Sequence, residues 1–319
     1  MSIPIPTPTE ITELLGLPFG PLQTSARETD SDAGYFGPES VTWKVMREPL
    51  LVLGSLRALL MQAAHPLVAE GALKTRSFEH DPWGRFRRTA QWVGIVVFGT
   101  KHEADMACDA VGRAHRGIAG RLREEHATAS TGGKRGIVGG TVYSARSPDL
   151  VRWVHATLTE TLLVTHEAFV GRMPVADQDR FVQEWNVIGF KMGMARHDAF
   201  TTRAEMSGYI RDAIDNGPVG AGAGSREVSQ TILHSPMLLA DPLWRASAFF
   251  SIGLLPGSVR SQFGISWWLW DEAGFRSTLR LVRQLRAVTP SPLRQSAGYK
   301  WAVRRARGDL ASTRRQAYA

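Results

Sequence analysis

Apolar residues recur every three or four positions along most of the chain, a spacing that predicts amphipathic helices. The starts of two of these helices are marked by an oxygen-bearing residue ahead of an acid in the first turn, at Ser147-Pro148-Asp149 and Thr202-Arg203-Ala204-Glu205. Nine segments carry the helical pattern: 50–73, 86–98, 103–123, 148–170, 177–188, 203–216, 225–233, 239–254 and 274–288. The pattern predicts an all-α fold.

Strand character is confined to residues 136–144, which are short and broken by glycines. This segment predicts a minor hairpin or an ordered loop, and no sheet. We expect a loosely ordered N-terminal arm at 1–40, rich in Pro, Thr, Ser and Gly, then a single helical domain at 41–290 and a basic tail at 291–319.

Composition narrows the class of protein. A chain of 319 residues, 43% hydrophobic and 21% charged, is typical of a globular soluble protein. Its one cysteine, Cys108, excludes an intramolecular disulfide, a cysteine-based zinc cluster and the Cys-x-x-Cys-His attachment of covalent haem. The first residues lack the features of a signal peptide, so we expect a cytoplasmic protein.

The net charge of +8 is unevenly distributed. From Arg276 onward there are eleven Lys/Arg and one acid, whereas the rest of the chain has 27 basic and 29 acidic residues. In this segment arginines alternate with an apolar helical face, which indicates either an amphipathic closing helix or contact with nucleic acid or an anionic membrane. No DNA-binding motif accompanies it, so we favour the closing helix and core packing for the neighbouring 267–270 (Trp-Trp-Leu-Trp).

His115 lies on an apolar stripe with Ala104, Cys108, Val111, Ile118 and Leu122. A histidine on a buried stripe needs a partner, either a backbone carbonyl or a metal. His65 is a rival for the metal, because it lies in an equally apolar stretch and precedes Pro66, which perturbs the turn.

Arg85, Arg88 and Thr89 are three and four positions apart and therefore share one helical face. Such a face can hold anionic groups or stabilise developing negative charge, or it can be an ordinary solvated basic turn. The histidines and glutamates at 155, 160, 166 and 167 suggest a di-iron site only weakly, because the chain contains no Glu-x-x-His pair. No serine or cysteine has the context of a hydrolase nucleophile.

Several short sequence motifs of the chain, in their order, resemble those of the MpaB-like group of bacterial oxygenases. This group is related to the rubber oxygenase (latex clearing protein) catalytic domain. The resemblance covers roughly residues 40 to 290. The matching segments are 57–69, Asp81-Pro82 with Arg88-Thr89, Phe98-Gly99-Thr100, His115, Tyr143-Ser144-Ala145 and 153–158.

The resemblance implies an all-helical protein with a globin-like core and non-covalent haem b that oxygenates an unsaturated hydrocarbon. It implies that His115 is the proximal iron ligand and that Arg85, Arg88 and Thr89 occupy the other side of the haem. An arginine stands at 88 where the rubber-cleaving relatives have lysine, and arginine is a very poor iron ligand. Glu70 is the approximate counterpart of their distal glutamate.

We therefore predict a haem b-dependent oxygenase that uses O2 on an apolar, unsaturated lipid or isoprenoid-like substrate. His115 would bind the iron, with His65 as the rival ligand. Arg85 and Arg88 would anchor propionates or polarise bound oxygen, and Thr89 would supply a hydroxyl. An electron-donor protein and peripheral membrane contact stay open as partners. The alternatives are a haem sensor or carrier without turnover, and a binding protein that acts through its basic C-terminal segment.

Overall fold

The computed structural model of the chain describes residues 32–75, 82–130, 134–233 and 242–317. The predicted N-terminal arm therefore lies largely outside the described residues, as do Asp81 and the first residues of the helix predicted at 239–254. The prediction of an all-α fold is confirmed. Within the described ranges the α-helices are α1 Val41–Met46, α2 Ser55–Ala63, α3 Pro66–Thr75, α4 Pro82–Phe98, α5 Lys101–His115, α6 Pro148–Phe169, α7 Val175–Met192, α8 Arg203–Asp215, α9 Ala223–Leu233, α10 Pro242–Leu254, α11 Gly257–Gln262, α12 Leu269–Val288 and α13 Ala297–Ala317.

The first predicted helix, 50–73, is three elements rather than one. A 3₁₀ helix at Pro49–Gly54 leads into α2, and the chain turns at His65 before α3 begins at Pro66. The helical chain bends by 108° between Pro49–Ala63 and Pro66–Thr75. Proline at 66 lacks the N–H that a continuous helix would need, so the helix is interrupted there. The apolar spacing continues on both sides of this corner and therefore does not indicate it. No single helix in the described residues is long and apolar enough to cross a membrane. The two helical segments on either side of the bend reach that length and apolar composition only when they are taken together.

The helix predicted at 103–123 ends at His115, so Ile118 and Leu122 do not extend its stripe. The chain instead forms a strand, β1 (Ala119–Arg121), which pairs antiparallel with β2 (Val142–Ser144). The expectation of no sheet was therefore wrong. The strand-like stretch at 136–144 does pair, but its partner comes from the segment taken for helix.

Of the two predicted caps, one is confirmed. The Thr202 side chain accepts a hydrogen bond from the Glu205 N–H at the start of α8. Ser147 occupies the cap position of α6 but makes no side-chain capping bond there. A further cap at Thr100 and Glu103 opens α5 with reciprocal side-chain bonds, which fixes the start of the helix that ends in His115.

Helix α6 is central, packing against the 3₁₀ helix Pro49–Gly54 and against α2, α7, α8 and α12. At the closest crossing, a Cβ added to Gly54 would overlap the Thr165 side chain, so only glycine permits this approach. The core around it is rich in fully buried aromatic rings, namely Trp43, Trp153, Trp185, Trp244, Phe169, Phe181 and Phe200.

The C-terminal segment is ordered through α13. Arg305 on this helix is fully buried and donates a hydrogen bond to the backbone carbonyl of Phe98 at 2.9 Å. Its guanidinium also lies over the Trp301 ring, 4.5 Å from the centroid. Core packing of the 267–270 cluster was the wrong expectation for three of its four residues, because Trp268, Leu269 and Trp270 are exposed. The domain boundaries and the globin-like core stay predictions.

Candidate functional site

A cavity of about 800 Å³ lies among α2, α3, α4, α5, α6 and α7. A volume of this order accommodates a cofactor or a medium-sized organic ligand. Its wall is mostly apolar, with a small number of polar groups set into it. The polar and charged residues of the wall include Glu48, Gln62, Arg85, Arg88, Thr89, His115, Tyr143, His155 and Thr161.

The structure brings Arg85, Arg88, Thr89 and His115 together in the wall of this cavity, and we call them the arginine wall. The first three share one face of α4, as their spacing predicted. The Thr89 hydroxyl donates to the Arg85 carbonyl oxygen at 3.0 Å, one helical turn back. His115 is the last residue of α5, which packs against α4, so adjoining helices supply the members of the arginine wall.

The electrostatics of the arginine wall keep the imidazole neutral. Burial lowers the pKa of His115, and the charge of Arg85 lowers it further. The pKa of Arg85 falls to about 10, through burial and then through the charge of Arg88, so this guanidinium stays protonated near neutral pH. The cavity therefore presents a neutral imidazole close to positive charge, which is the state in which a histidine can bind a metal.

His65 is buried, but it is not among the residues that line the cavity. Burial lowers the pKa of His65 to about 4, its Nδ1 accepts a bond from the Leu67 N–H at 3.3 Å, and its ring packs 6.3 Å from Trp153. These contacts account for His65 as a residue of the α2–α3 corner. They do not bring it to the arginine wall.

Glu70 also lies outside the residues that line the cavity. Its carboxylate is buried and forms an ion pair with Arg123 at 2.8 Å, while the other oxygen makes a short hydrogen bond to His126 Nδ1. A Cβ at Gly224 would come within 2.6 Å of that same nitrogen, so α9 closes over the pair. The resemblance placed Glu70 on the distal side of the haem, whereas here it forms a framework bond between α3 and the 3₁₀ helix Glu124–His126.

His155 lines the cavity, whereas the sequence pattern suggested for it only a weak di-iron role. It lies on α6 and is 7% exposed. Its Nδ1 faces α7, where a Cβ at Gly189 would come within 3.0 Å, and the Asn186 side chain hydrogen-bonds the imidazole. Its Nε2 is buried and has no hydrogen-bond partner among the described residues. No sequence signal distinguishes His155, because the absence of a hydrogen-bond partner for its Nε2 depends on the tertiary fold.

The acids that a di-iron site would need are engaged elsewhere. Glu160 pairs with Arg57 at 2.7 Å, and Glu167 accepts two bonds from the Arg203 guanidinium, at 2.6 and 2.8 Å. Within the described part of the chain, no three His, Cys, Asp or Glu side chains are grouped so that they could hold a metal ion. A carboxylate-bridged metal pair therefore has no ligand set in these residues.

The donor set does fit a planar, anionic, iron-containing group. A neutral imidazole could hold the iron, two guanidiniums could bind carboxylates, and the remaining apolar wall would suit a macrocycle or a hydrocarbon. Cys108 is buried on the packed face of α5, and burial followed by the charge of Asp105 raises its pKa to about 11. A thiolate ligand from this residue is therefore disfavoured.

Comparison with known proteins identifies the family of the chain. Residues 43–284 match the family described as the ER-bound oxygenase mpaB/B'/rubber oxygenase catalytic domain. No curated protein and no solved structure matches the chain. The matched range contains every residue of the arginine wall and extends over well more than half of the sequence. The chain therefore belongs to the mpaB/rubber oxygenase catalytic domain family.

Proposed function

We propose that this protein is a haem b-dependent oxygenase that uses O2 to oxygenate or cleave an apolar, unsaturated lipid or isoprenoid-like substrate. Family membership supports oxygenase activity in general. The observation that carries the finer proposal is the arginine wall, in which neutral His115 and cationic Arg85 lie beside Arg88 in an otherwise largely apolar cavity.

Haem iron, when bound, would supply the activation of oxygen. His115 would hold it through a ring nitrogen, and the depressed pKa of this imidazole keeps its lone pair available at neutral pH. Arg85 and Arg88 would bind the propionate carboxylates, because a guanidinium matches a carboxylate with two parallel hydrogen bonds.

A guanidinium of Arg85 or Arg88 that is not engaged by a propionate would stabilise negative charge that develops in the cavity. The Thr89 hydroxyl donates to its own helix in the structure and would have to rotate to reach a ligand. Arginine at 88 keeps its charge throughout, so residue 88 would orient anions and would not act as a removable iron ligand. The surrounding apolar side chains would exclude water and hold a hydrocarbon chain.

An absorption spectrum of the purified chain, produced with ample haem, tests the cofactor and the ligand. We expect a Soret band at stoichiometric haem that is lost in His115→Ala and retained in His65→Ala. His65→Ala is the matched control, because it removes a buried histidine that does not line the cavity. Loss of the band in His65→Ala alone, or no haem uptake by any form, would overturn the proposal.

Oxygen consumption tests turnover. With haem-loaded protein and an electron source, we expect uptake of O2 that depends on an unsaturated apolar substrate, and a product that has gained oxygen. The saturated hydrocarbon of the same length is the control. Stable haem binding with no substrate-dependent oxygen uptake would favour a haem sensor or carrier instead.

A further inference from the structure

His155 lines the cavity, and its Nε2 is a buried polar atom without a hydrogen-bond partner among the described residues. The Asn186 amide NH₂ donates to the Phe200 carbonyl oxygen at 2.7 Å, which leaves the Asn186 carbonyl oxygen as the acceptor for the imidazole. Burial lowers the pKa of His155, and the bond to Asn186 opposes this effect in part, as expected when the imidazole is the donor. The ring proton is thereby held on Nδ1, and Nε2 is left with a lone pair.

From this geometry we infer that His155 Nε2 forms a binding subsite for a single hydroxyl group on an otherwise apolar ligand. A lone pair can only accept a hydrogen bond, so it selects a donor such as an alcohol. A carboxylate has no proton to give, and a neutral imidazole offers it no charge. An ether of the same length fills the same space but cannot donate.

The wall around His155 supports an apolar ligand body. Leu158, Leu162 and Ile188 line the cavity on the two helices that carry His155 and Asn186. In such surroundings one satisfied hydrogen bond discriminates strongly, because an unpaired buried polar atom is costly. The inference deepens the proposed function, on which it rests for the identification of this ligand as the substrate.

The test compares three ligands with twelve carbons each, dodecan-1-ol, methyl undecyl ether and dodecanoate, by displacement of a fluorescent apolar probe from haem-free and haem-loaded protein at pH 8. We expect the alcohol to bind about five-fold tighter than the ether, the size of one net hydrogen bond. In His155→Leu this preference should vanish while ether binding is retained. In His155→Gln, whose amide oxygen can accept, the preference should be partly restored.

Equal discrimination by the wild-type and His155→Leu proteins would overturn the subsite. So would a change in the haem spectrum of His155→Leu without any change in alcohol preference, because that result would make His155 an iron ligand. The haem spectrum of His115→Ala is read separately. Failure of the hydroxyl subsite can therefore be distinguished from failure of the haem proposal.

A second, independent observation concerns the surface of α12. Of the eleven large hydrophobic side chains that are exposed in the described residues, seven lie between 268 and 293, each at least 53% exposed. Trp268 and Trp270 stack on each other with ring centroids 5.5 Å apart. Trp270, Leu281 and Val288 are separated by eleven and seven residues and therefore lie along one face of the helix.

Exposed arginines flank this apolar face. Arg276, Arg280 and Arg283 are four and three residues apart, on the side of α12 next to the apolar strip. Arg276 also pairs with Glu272, and Arg283 donates to backbone carbonyls of α6. The segment from Arg276 to the C-terminus carries eleven basic residues and one acid. Tryptophans and leucines beside arginines on one helix make an amphipathic surface of the interfacial kind.

We propose that this surface, defined by Trp268, Trp270, Leu281, Leu285, Val288 and Arg280, docks on an anionic membrane. The apolar face would enter the headgroup boundary, and the arginines would contact anionic lipids. Arg286 of α12 pairs with Glu48, which lines the cavity, so α12 itself contacts the wall that would receive a lipid.

Vesicle co-sedimentation tests the surface. We expect the full chain to bind vesicles of phosphatidylcholine with phosphatidylserine, to bind phosphatidylcholine alone more weakly, and to lose affinity as salt rises. The triple variant Trp268→Ser/Trp270→Ser/Leu281→Ser should lose most binding, and Arg280→Glu part of it. Met106→Ser/Val138→Ser removes exposed apolar side chains elsewhere and is the matched control. Equal binding by the triple variant and its control would overturn membrane docking, as would dimerisation in light scattering that only the triple variant abolishes.

Discussion

Two places on the buried surface of helix α6 differ in how their polar groups are satisfied. Its Glu160 and Thr161 receive the buried guanidinium of Arg57 at 2.7 and 2.6 Å, and the same guanidinium donates to the Leu254 carbonyl at 2.9 Å. One turn earlier, His155 is also buried, yet its Nε2 has no partner in the described residues. The Arg57 guanidinium is satisfied within the chain, whereas His155 keeps a buried atom free for something that is not part of the chain.

The largest expected loss of stability follows from breaking the ion pair between Arg57 and Glu160. Arg57→Met keeps the aliphatic length but leaves the Glu160 carboxylate, 14% exposed, without its cation. We expect a loss of about 3–5 kcal/mol in the free energy of unfolding, measured by urea denaturation. The double variant Arg57→Met/Glu160→Leu should recover much of this loss, because neither charge is then buried alone. No recovery would show that the pair contributes by its shape and not by its charge.

Acidification should lower the free energy of unfolding through the buried, neutral histidines. Burial lowers the pKa of His155, and separately of His65, to about 4 from the ordinary 6.5, so the unfolded chain binds more protons than the folded one between these values. Stability is then fully present above pH 6.5 and falls as pH drops toward 4, by up to about 1.4 kcal/mol per pH unit for each histidine. Urea unfolding between pH 8 and pH 5 measures this slope, which His155→Leu should reduce. An unchanged slope would contradict burial of a neutral His155.

Glu70 provides a second framework test, close to the cavity but outside its lining. Glu70→Gln keeps the shape and removes the charge that Arg123 and His126 contact. A charge-assisted bond of this kind contributes about 1.5–3 kcal/mol, so urea denaturation should show a loss of that order. Arg123→Gln should cost less, because its side chain is 45% exposed. The Soret band should stay in place, and its loss in Glu70→Gln would return Glu70 to the site.

The smallest expected effect is at His155 itself. At pH 8, His155→Leu removes an atom without a partner together with one bond to Asn186, so the two changes oppose each other. We expect the free energy of unfolding to change by no more than about 1 kcal/mol, measured beside Arg57→Met under the same conditions. A loss as large as that of Arg57→Met would remove the contrast between framework and cavity.

Periodicity found helix in each of the nine predicted segments, but it missed the corner in the first, misjudged the end of the third and did not predict α13. Leu122 is buried, so it continues the apolar spacing of α5, yet its N–H donates to the Thr141 carbonyl at 2.9 Å rather than to a helical neighbour. A buried turn residue and a buried helical residue look the same in one sequence. The corner at His65 was missed for the same reason, although Pro66 marked it.

The site was predictable to the extent that it is local. The spacing of Arg85, Arg88 and Thr89 was enough to place them on one face of α4, because that relation depends only on helical geometry. That this face shares a cavity with His115 depends on the packing of α4 against α5, which the resemblance implied and spacing alone did not. The role of His155 depends on the absence of a hydrogen-bond partner for its Nε2 in the folded chain, and the sequence pattern does not show which partners are absent.

The contact between Gly54 and Thr165 has a consequence for any attempt to alter ligand size. The Thr165 side chain of α6 fills the space that a Cβ at Gly54 would occupy, so the 3₁₀ helix Pro49–Gly54 and α6 are held apart by Thr165 alone at this contact. This contact acts as a fixed spacer, so that the width of the adjoining chamber cannot be tuned by letting the two elements slide closer. Selectivity among longer or bulkier molecules would therefore evolve by trimming or enlarging side chains such as Leu158 and Leu162, with the scaffold held constant.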